Sequence, residues 1–147
     1  MKKWMIAAGL LLITGGSATF LLYPADDLGP PAVASTLSQE QLVARGAYLA
    51  KAGDCMACHT TRGGVPYAGG RALQTPFGKV LSPNITADKE TGIGSWTDDD
   101  FWRAIHNGKS KDGRLLYPAF PYTSYTKVQR EDSDAAGVNE GAHTIGE

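Results

Sequence analysis

An uncharged, largely apolar stretch from Trp4 to Tyr23 follows Lys2 and Lys3 near the start of the chain. Basic residues ahead of an apolar segment are typical of an export signal, and they keep that end on the cytoplasmic side of a membrane. About twenty residues can cross a bilayer, whereas the apolar part of a cleaved signal has about 7 to 15. We therefore expect residues 1–23 to be an export signal or membrane anchor, with the length favouring the anchor.

Apolar residues recur at helical spacing in two later segments. The first follows Ser38-x-x-Gln41, which has the pattern of a capping box, and it stops at Gly53. The second begins at Thr97, has three aspartates in its first turn, and stops at Gly108. These patterns predict a helix in each segment.

Few large apolar residues follow Ala136. Only Val138 and Ile145 are of this kind, which is too little to bury a helix face. We therefore expect residues 135–147 to be a disordered or aberrant tail.

Two segments show no periodic pattern of apolar residues. Residues 24–37 are rich in proline, glycine and aspartate, which is typical of a linker. Residues 60–87 contain a run of glycines and prolines that predicts a wrapping loop without regular secondary structure. The folded domain is thus expected over residues 38–134.

The composition limits the possibilities for the whole chain. Its 147 residues have room for one small domain beside the terminal segments. The formal net charge of -1 gives no general basic surface, so no nucleic-acid partner is expected.

One motif carries the chemistry. Residues Cys55-Met56-Ala57-Cys58-His59 have the pattern C-x-x-C-H and contain both cysteines of the chain. Two thiols three residues apart project from one turn and can add to the two vinyl groups on one edge of a haem, and the next residue places an imidazole under the iron. We therefore predict one covalent haem c held by Cys55 and Cys58, with His59 as an axial ligand.

Three other interpretations of the cysteine pair fit the sequence less well. A thioredoxin-like redox pair needs a βαβ setting, but glycine- and proline-rich sequence follows the motif. A zinc site needs four ligands, and His106 and His143 do not form a second closely spaced pair. A structural disulfide would not explain why a histidine, His59, directly follows the second cysteine.

From Leu42 to about Asp134 the chain resembles the first haem domain of the three-haem cytochrome c subunit of membrane-bound bacterial dehydrogenases that oxidise alcohols, gluconate, sorbitol or aldehydes. The resemblance implies a mostly α, class I cytochrome c-like domain wrapped around one haem, here preceded by an N-terminal hydrophobic helix. The matching motifs are Arg45-Gly46-Ala47-Tyr48-Leu49, Gly53-Asp54-Cys55-Met56-Ala57-Cys58-His59-Thr60, Thr75-Pro76-Phe77-Gly78, Asn84-Ile85-Thr86, Gly92-Ile93-Gly94, Asp112-Gly113-Arg114 and Tyr117-Pro118-Ala119-Phe120-Pro121-Tyr122.

The sixth ligand of the iron stays open. In many relatives a methionine in the Tyr-Pro-Ala-x-Pro-Tyr loop supplies it, and the resemblance places Phe120 at that position. Met1, Met5 and Met56 are not placed to replace it. His106 is the remaining candidate within the domain, on a helix face away from the ligand loop.

The resemblance implies an electron carrier rather than an enzyme. We expect it to pass electrons from a dehydrogenase subunit towards a membrane quinone or oxidase, on the periplasmic side of a bacterial inner membrane. An open iron site would also suit a haem ligand-binding or sensor protein. The resemblance also implies a last helix, which would start at Glu131 and is expected to remain incomplete. An incomplete last helix would also suit a truncated, non-functional fragment of a longer multi-haem cytochrome.

Overall fold

A computed structural model describes residues 29–31 and 34–142. The expected export segment at 1–23 and the last residues of the expected tail lie outside this range. Among the helices that are described, none has the length and apolar character needed to cross a membrane.

The described chain is mostly helical with one small sheet. The sheet is an antiparallel hairpin of two strands, and a short 3-10 helix precedes the last α-helix. In chain order the elements are α1 (Gln39–Ala52), α2 (Cys55–His59), β1 (Ala72–Thr75), β2 (Gly78–Leu81), α3 (Asp98–Asn107), the 3-10 helix (Tyr122–Ser124) and α4 (Arg130–Ala142).

Helix α1 begins and ends as the sequence predicts. The Ser38 hydroxyl accepts a hydrogen bond from the Gln41 amide at 3.3 Å, and the Gln41 side chain accepts one from the Ser38 amide at 2.8 Å. These two bonds satisfy N–H groups that a helix start leaves without partners. At the other end Gly53 donates its N–H to the Leu49 carbonyl, 2.8 Å away.

Helix α3 is capped in the same reciprocal way. The Thr97 hydroxyl accepts from the Asp100 amide at 3.1 Å, and the Asp100 carboxylate accepts from the Thr97 amide at 2.9 Å. The predicted boundaries at Thr97 and Gly108 are confirmed. Trp102 and Ala104 on this helix are buried and contribute to the core.

The expectation of an irregular loop across residues 60–87 is wrong in its middle. Strands β1 and β2 pair there, with Leu73 opposite Val80 and both half-buried. Pro76 and Gly78 argued against regular structure, but Pro76 lies in the turn between the strands and Gly78 is the first residue of β2. Strands of four residues are too short for their alternation to stand out in the sequence.

The expected failure of the last helix is also wrong. Helix α4 continues to Ala142 and packs against α1 and α3. Ala135 is fully buried, and a Cβ on Gly137 would lie 3.4 Å from the Phe101 ring. Small residues let the helices approach closely, so this helix buries a face without large apolar side chains. Residues 135–142 are therefore part of the fold.

Candidate functional site

The C-x-x-C-H motif forms a short helix of its own. Asp54 adopts a left-handed conformation with φ of 55° between α1 and α2, and this turns the chain so that Cys55 to His59 make one helical turn. Cys55 is half-buried and Cys58 is exposed, and they are not joined by a disulfide. The spacing predicted from the sequence thus places both thiols on one turn.

The His59 ring is held by a backbone carbonyl. Its Nδ1 lies 2.9 Å from the Pro83 oxygen, so Nδ1 carries the proton and Nε2 keeps its lone pair. Burial lowers the pKa of His59, against an opposing effect of the bond to Pro83. Burial thus favours the neutral imidazole, and the bond to Pro83 selects the tautomer protonated at Nδ1. A metal-binding histidine needs this state and this orientation.

Hydrogen bonds in the segment after His59 stabilise the contact between His59 and Pro83. Gly69 donates its N–H to the His59 carbonyl at 2.7 Å, and Tyr67 donates its N–H to the Thr60 hydroxyl at 3.0 Å. A Cβ on Gly69 would lie 2.5 Å from the Pro83 carbonyl carbon and oxygen. The absence of a side chain at Gly69 therefore lets the Pro83 carbonyl reach the ring.

Arg71 ties the same segment to the motif. Its guanidinium donates to the carbonyl of Ala57, between the two cysteines. Its backbone amide donates to the Ser82 hydroxyl at 3.1 Å, next to Pro83. Arg71 thereby links the motif helix to the chain that holds the His59 ring.

Aromatic residues of a distant loop lie beside the cysteines. The Tyr125 hydroxyl donates to the Gly53 carbonyl at 2.8 Å, and burial raises the pKa of Tyr125, with Cys55 and Cys58 adding to the shift. The Phe120 ring stacks on Tyr125 with centroids 5.6 Å apart. Phe120 thus lies near the motif, at the position where the resemblance expected a ligand residue.

Apolar side chains are exposed on the hairpin and on the loop that faces it. The Tyr117 hydroxyl donates to the Thr75 hydroxyl at 3.2 Å, which joins the two segments. Phe77 is 92% exposed, Leu81 65% and Leu115 78%. The two thiols and the fixed imidazole of the motif fit the donor set that a covalent haem requires.

His106 is not brought to this site. Its Nδ1 lies 3.1 Å from the Trp102 carbonyl and its Nε2 lies 2.9 Å from the Val128 carbonyl. Its ring also stacks on Trp102 with centroids 3.4 Å apart. Both ring nitrogens contact backbone oxygens, so His106 is a packing residue within α3 and we do not keep it as a ligand candidate.

Sequence reasoning missed the Pro83 carbonyl, Arg71 and Tyr125. A carbonyl is present at every residue, so no side-chain pattern distinguishes the one at Pro83. Arg71 and Tyr125 lie far along the chain from the motif and carry no spacing signal. Within the described residues no group of three or more histidine, cysteine, aspartate or glutamate side chains could hold a metal ion.

Comparison with known proteins gives the family. The chain is 52% identical over 104 residues to the "Gluconate 2-dehydrogenase cytochrome c subunit" of Pantoea cypripedii, covering 71% of this chain and 24% of that protein. It is 40% identical over 135 residues to the "Alcohol dehydrogenase (quinone), cytochrome c subunit" of Gluconobacter oxydans, covering 90% of this chain and 25% of that protein. The chain is a homologue of the cytochrome c subunits of bacterial dehydrogenases. This confirms the resemblance predicted from the motifs.

A third cytochrome relative broadens the comparison. The "Diheme cytochrome c-type" protein of Cereibacter sphaeroides is 35% identical over 138 residues, covering 90% of this chain and 45% of that protein. The chain spans about a quarter of the length of the dehydrogenase cytochrome subunits named above. No family model matches it. The names of these cytochromes are consistent with electron transfer.

Proposed function

We propose that this chain is a single-haem c-type cytochrome domain that transfers electrons for a bacterial dehydrogenase. Haem c would be bonded through Cys55 and Cys58, with His59 as an axial ligand. Bound haem c supplies a one-electron couple that remains attached through repeated oxidation and reduction. The chain itself acts as a carrier and not as an enzyme.

The bond from His59 to the Pro83 carbonyl is the observation that carries this proposal. Thiols three residues apart also occur in redox pairs and disulfides, but neither needs an adjacent imidazole held through Nδ1. The 2.9 Å contact fixes the proton on Nδ1, and the lone pair of Nε2 is therefore available to bind a metal. A hydrogen bond of this kind also increases the basicity of a metal-binding imidazole.

The remaining residues of the site hold the cysteine turn in place and pack beside it. Arg71 holds the carbonyl of Ala57, and this fixes the turn that presents the two thiols. Tyr125 and Phe120 place aromatic surface beside the same turn. A ligand whose orientation is fixed reduces the rearrangement that accompanies electron transfer.

The location and partners follow from the relatives and from the N-terminal sequence. Subunits of gluconate and alcohol dehydrogenases are among the relatives, so we infer a dehydrogenase subunit as the electron donor. Residues 1–23 would bring the domain to the periplasmic side of the inner membrane, where a quinone or an oxidase accepts the electrons.

Haem attachment is tested by producing the full chain in a bacterium with a cytochrome c maturation system. Intact mass spectrometry and the pyridine haemochrome spectrum should show one haem per chain, bound through two thioethers. C55A or C58A should each lose one thioether, and H59A should not retain stable haem. Haem-free protein, or two haems per chain, would contradict the proposal.

A matched control lies in the same turn. Met56 is 43% exposed and occupies an unspecified position of the motif, so M56A should keep both thioethers and the spectrum of the unaltered protein. If M56A loses haem as completely as C55A, the effect reports damage to α2 and not loss of a bond to the haem. Electron transfer is then tested by adding a dehydrogenase substrate to membranes containing the protein and following haem reduction.

A further inference from the structure

Gly29 and Pro30, ahead of the domain, contact its surface. The Pro30 carbonyl accepts a hydrogen bond from Arg130 Nη1 at 3.1 Å. A Cβ on Gly29 would lie 2.2 Å from Nε1 of Trp102, so the Gly29 backbone contacts the indole directly. We call Gly29, Pro30 and Pro31 the strap. It falls within the segment that the sequence marks as a linker.

Contacts within the domain hold the two side chains that receive the strap. The Arg130 side chain is 5% exposed and pairs with Asp99 and Asp134, each at 2.7 Å. Burial alone would lower the pKa of Arg130, but the bonds to Asp99 and Asp134 outweigh it and raise that pKa. Its guanidinium carbon lies 5.6 Å from the centre of the Trp102 ring. The Trp102 ring on α3 and the Arg130 guanidinium on α4 are therefore both held in place.

The strap is also suited to docking at low entropic cost. Proline fixes φ in the free chain, so Pro30 and Pro31 leave fewer conformations to lose on docking. Gly29 has φ of 65° and no side chain, and both properties are needed for the chain to lie on the indole at this distance.

We propose that Trp102 and Arg130 form a docking site for the chain's own strap, and that this contact holds the haem domain close to the membrane surface. The part of this inference that concerns the membrane and the haem rests on the proposed function. With the strap docked, only residues 24–28 separate the expected anchor from the domain, a span of at most about 18 Å. A free linker over residues 24–37 would reach up to about 50 Å.

A pair of glycine variants in the full-length, haem-loaded protein tests the docking. Gly29 and Gly63 both have positive φ, at 65° and 74°, so alanine meets similar backbone strain at each. A Cβ on Gly63 meets nothing within 4 Å, whereas one on Gly29 meets Trp102. G29A should therefore be cleaved by proteinase K within residues 28–37 about tenfold faster or more, and G63A should match the unaltered protein there.

Distance from the membrane is tested in nanodiscs that contain a headgroup-labelled fluorescent lipid. The haem quenches this fluorophore by energy transfer, so the unaltered protein and G63A should quench strongly and G29A should quench less. Equal cleavage or equal quenching for G29A and the unaltered protein would overturn the proposal. Haem content and intact mass are measured first, so failure of haem attachment is distinguished from failure of the strap.

A second variant addresses the guanidinium. R130K keeps a positive charge beside Asp99 and Asp134 but lacks Nη1, the nitrogen that reaches the Pro30 carbonyl. It should accelerate cleavage of the strap while the haem spectrum stays unchanged. Unchanged cleavage in R130K would show that Pro30 is not held by Arg130, and the proposal would be wrong in that contact.

Discussion

Replacing Gly69 with alanine should disrupt the support of the His59 ring. Gly69 has φ of 75°, and a Cβ there would lie 2.5 Å from the Pro83 carbonyl carbon and oxygen and 2.6 Å from the Ser82 oxygen. All three are backbone atoms, so the new methyl cannot be accommodated by rotation of a side chain. The Pro83 carbonyl must move, and it is the acceptor that holds His59 Nδ1.

The cost has three parts. A left-handed conformation costs a residue with a Cβ about 1 to 2 kcal/mol. Overpacking against backbone adds about 1 to 3 kcal/mol. Loss of the hydrogen bond from His59 adds about 1 kcal/mol. G69A should therefore lower the free energy of unfolding by about 3 to 6 kcal/mol.

The neighbouring glycine gives the control. Gly70 has φ of 79°, but a Cβ there meets nothing within 4 Å, so G70A should show only the conformational cost of about 1 to 2 kcal/mol. Both variants are compared by denaturant unfolding of the haem-loaded protein. Equal losses of stability in G69A and G70A would refute the close approach of Gly69 to Pro83.

The reduction potential gives a second readout that separates the ligand from general stability. A hydrogen bond at Nδ1 makes the imidazole a stronger electron donor and favours oxidised iron, so its loss should raise the potential. Protein-film voltammetry should therefore show a higher potential for G69A than for G70A. A potential for G69A equal to that of the unaltered protein would mean that the His59 bond survives or has no electronic effect.

Three further changes test other parts of the structure. The Ser133 hydroxyl is fully buried without a hydrogen-bond partner among the described residues, so S133A should stabilise the fold by about 1 kcal/mol in thermal unfolding. Y125F should cost about 1 kcal/mol in denaturant unfolding, because it removes the bond to the Gly53 carbonyl. Burial raises the pKa of Asp100, but hydrogen bonds from Thr97 and from an arginine outweigh it and the pKa is lowered. This carboxylate therefore stabilises the fold above the unfolded pKa of about 3.9, and the stabilisation is lost as pH falls through the lower folded pKa. D100N should lower the free energy of unfolding by about 1 kcal/mol at pH 7. The difference in stability between D100N and the unaltered protein should shrink as the pH is lowered.

Local signals in the sequence identified α1 and α3 to the residue. Capping boxes at Ser38 and Thr97 involve side chains three residues apart, so the pattern and the structure it produces lie in the same short segment. The C-x-x-C-H turn is local in the same sense. Features of this kind can be predicted because no distant residue is needed to form them.

Features that depend on distant partners were missed. Helix α4 has few large apolar residues, and its burial becomes evident only beside α1 and α3, where Ala135 and Gly137 allow close contact. The carbonyl of Pro83 and the docking of Pro30 on Arg130 involve backbone oxygens. Composition and periodicity carry no information about either, because both depend on how the chain returns on itself.

The packing of α1 against α4 has a consequence for the order of assembly. Helix α1 begins at Gln39 and leads directly into the cysteine motif, but its partner begins only at Arg130. During synthesis and export from the N-terminus, the motif emerges long before the helix that closes the bundle, and the closing contact must also overcome the entropy of a long loop. If haem is attached as proposed, Cys55 and Cys58 are therefore accessible for that reaction before α4 packs against α1.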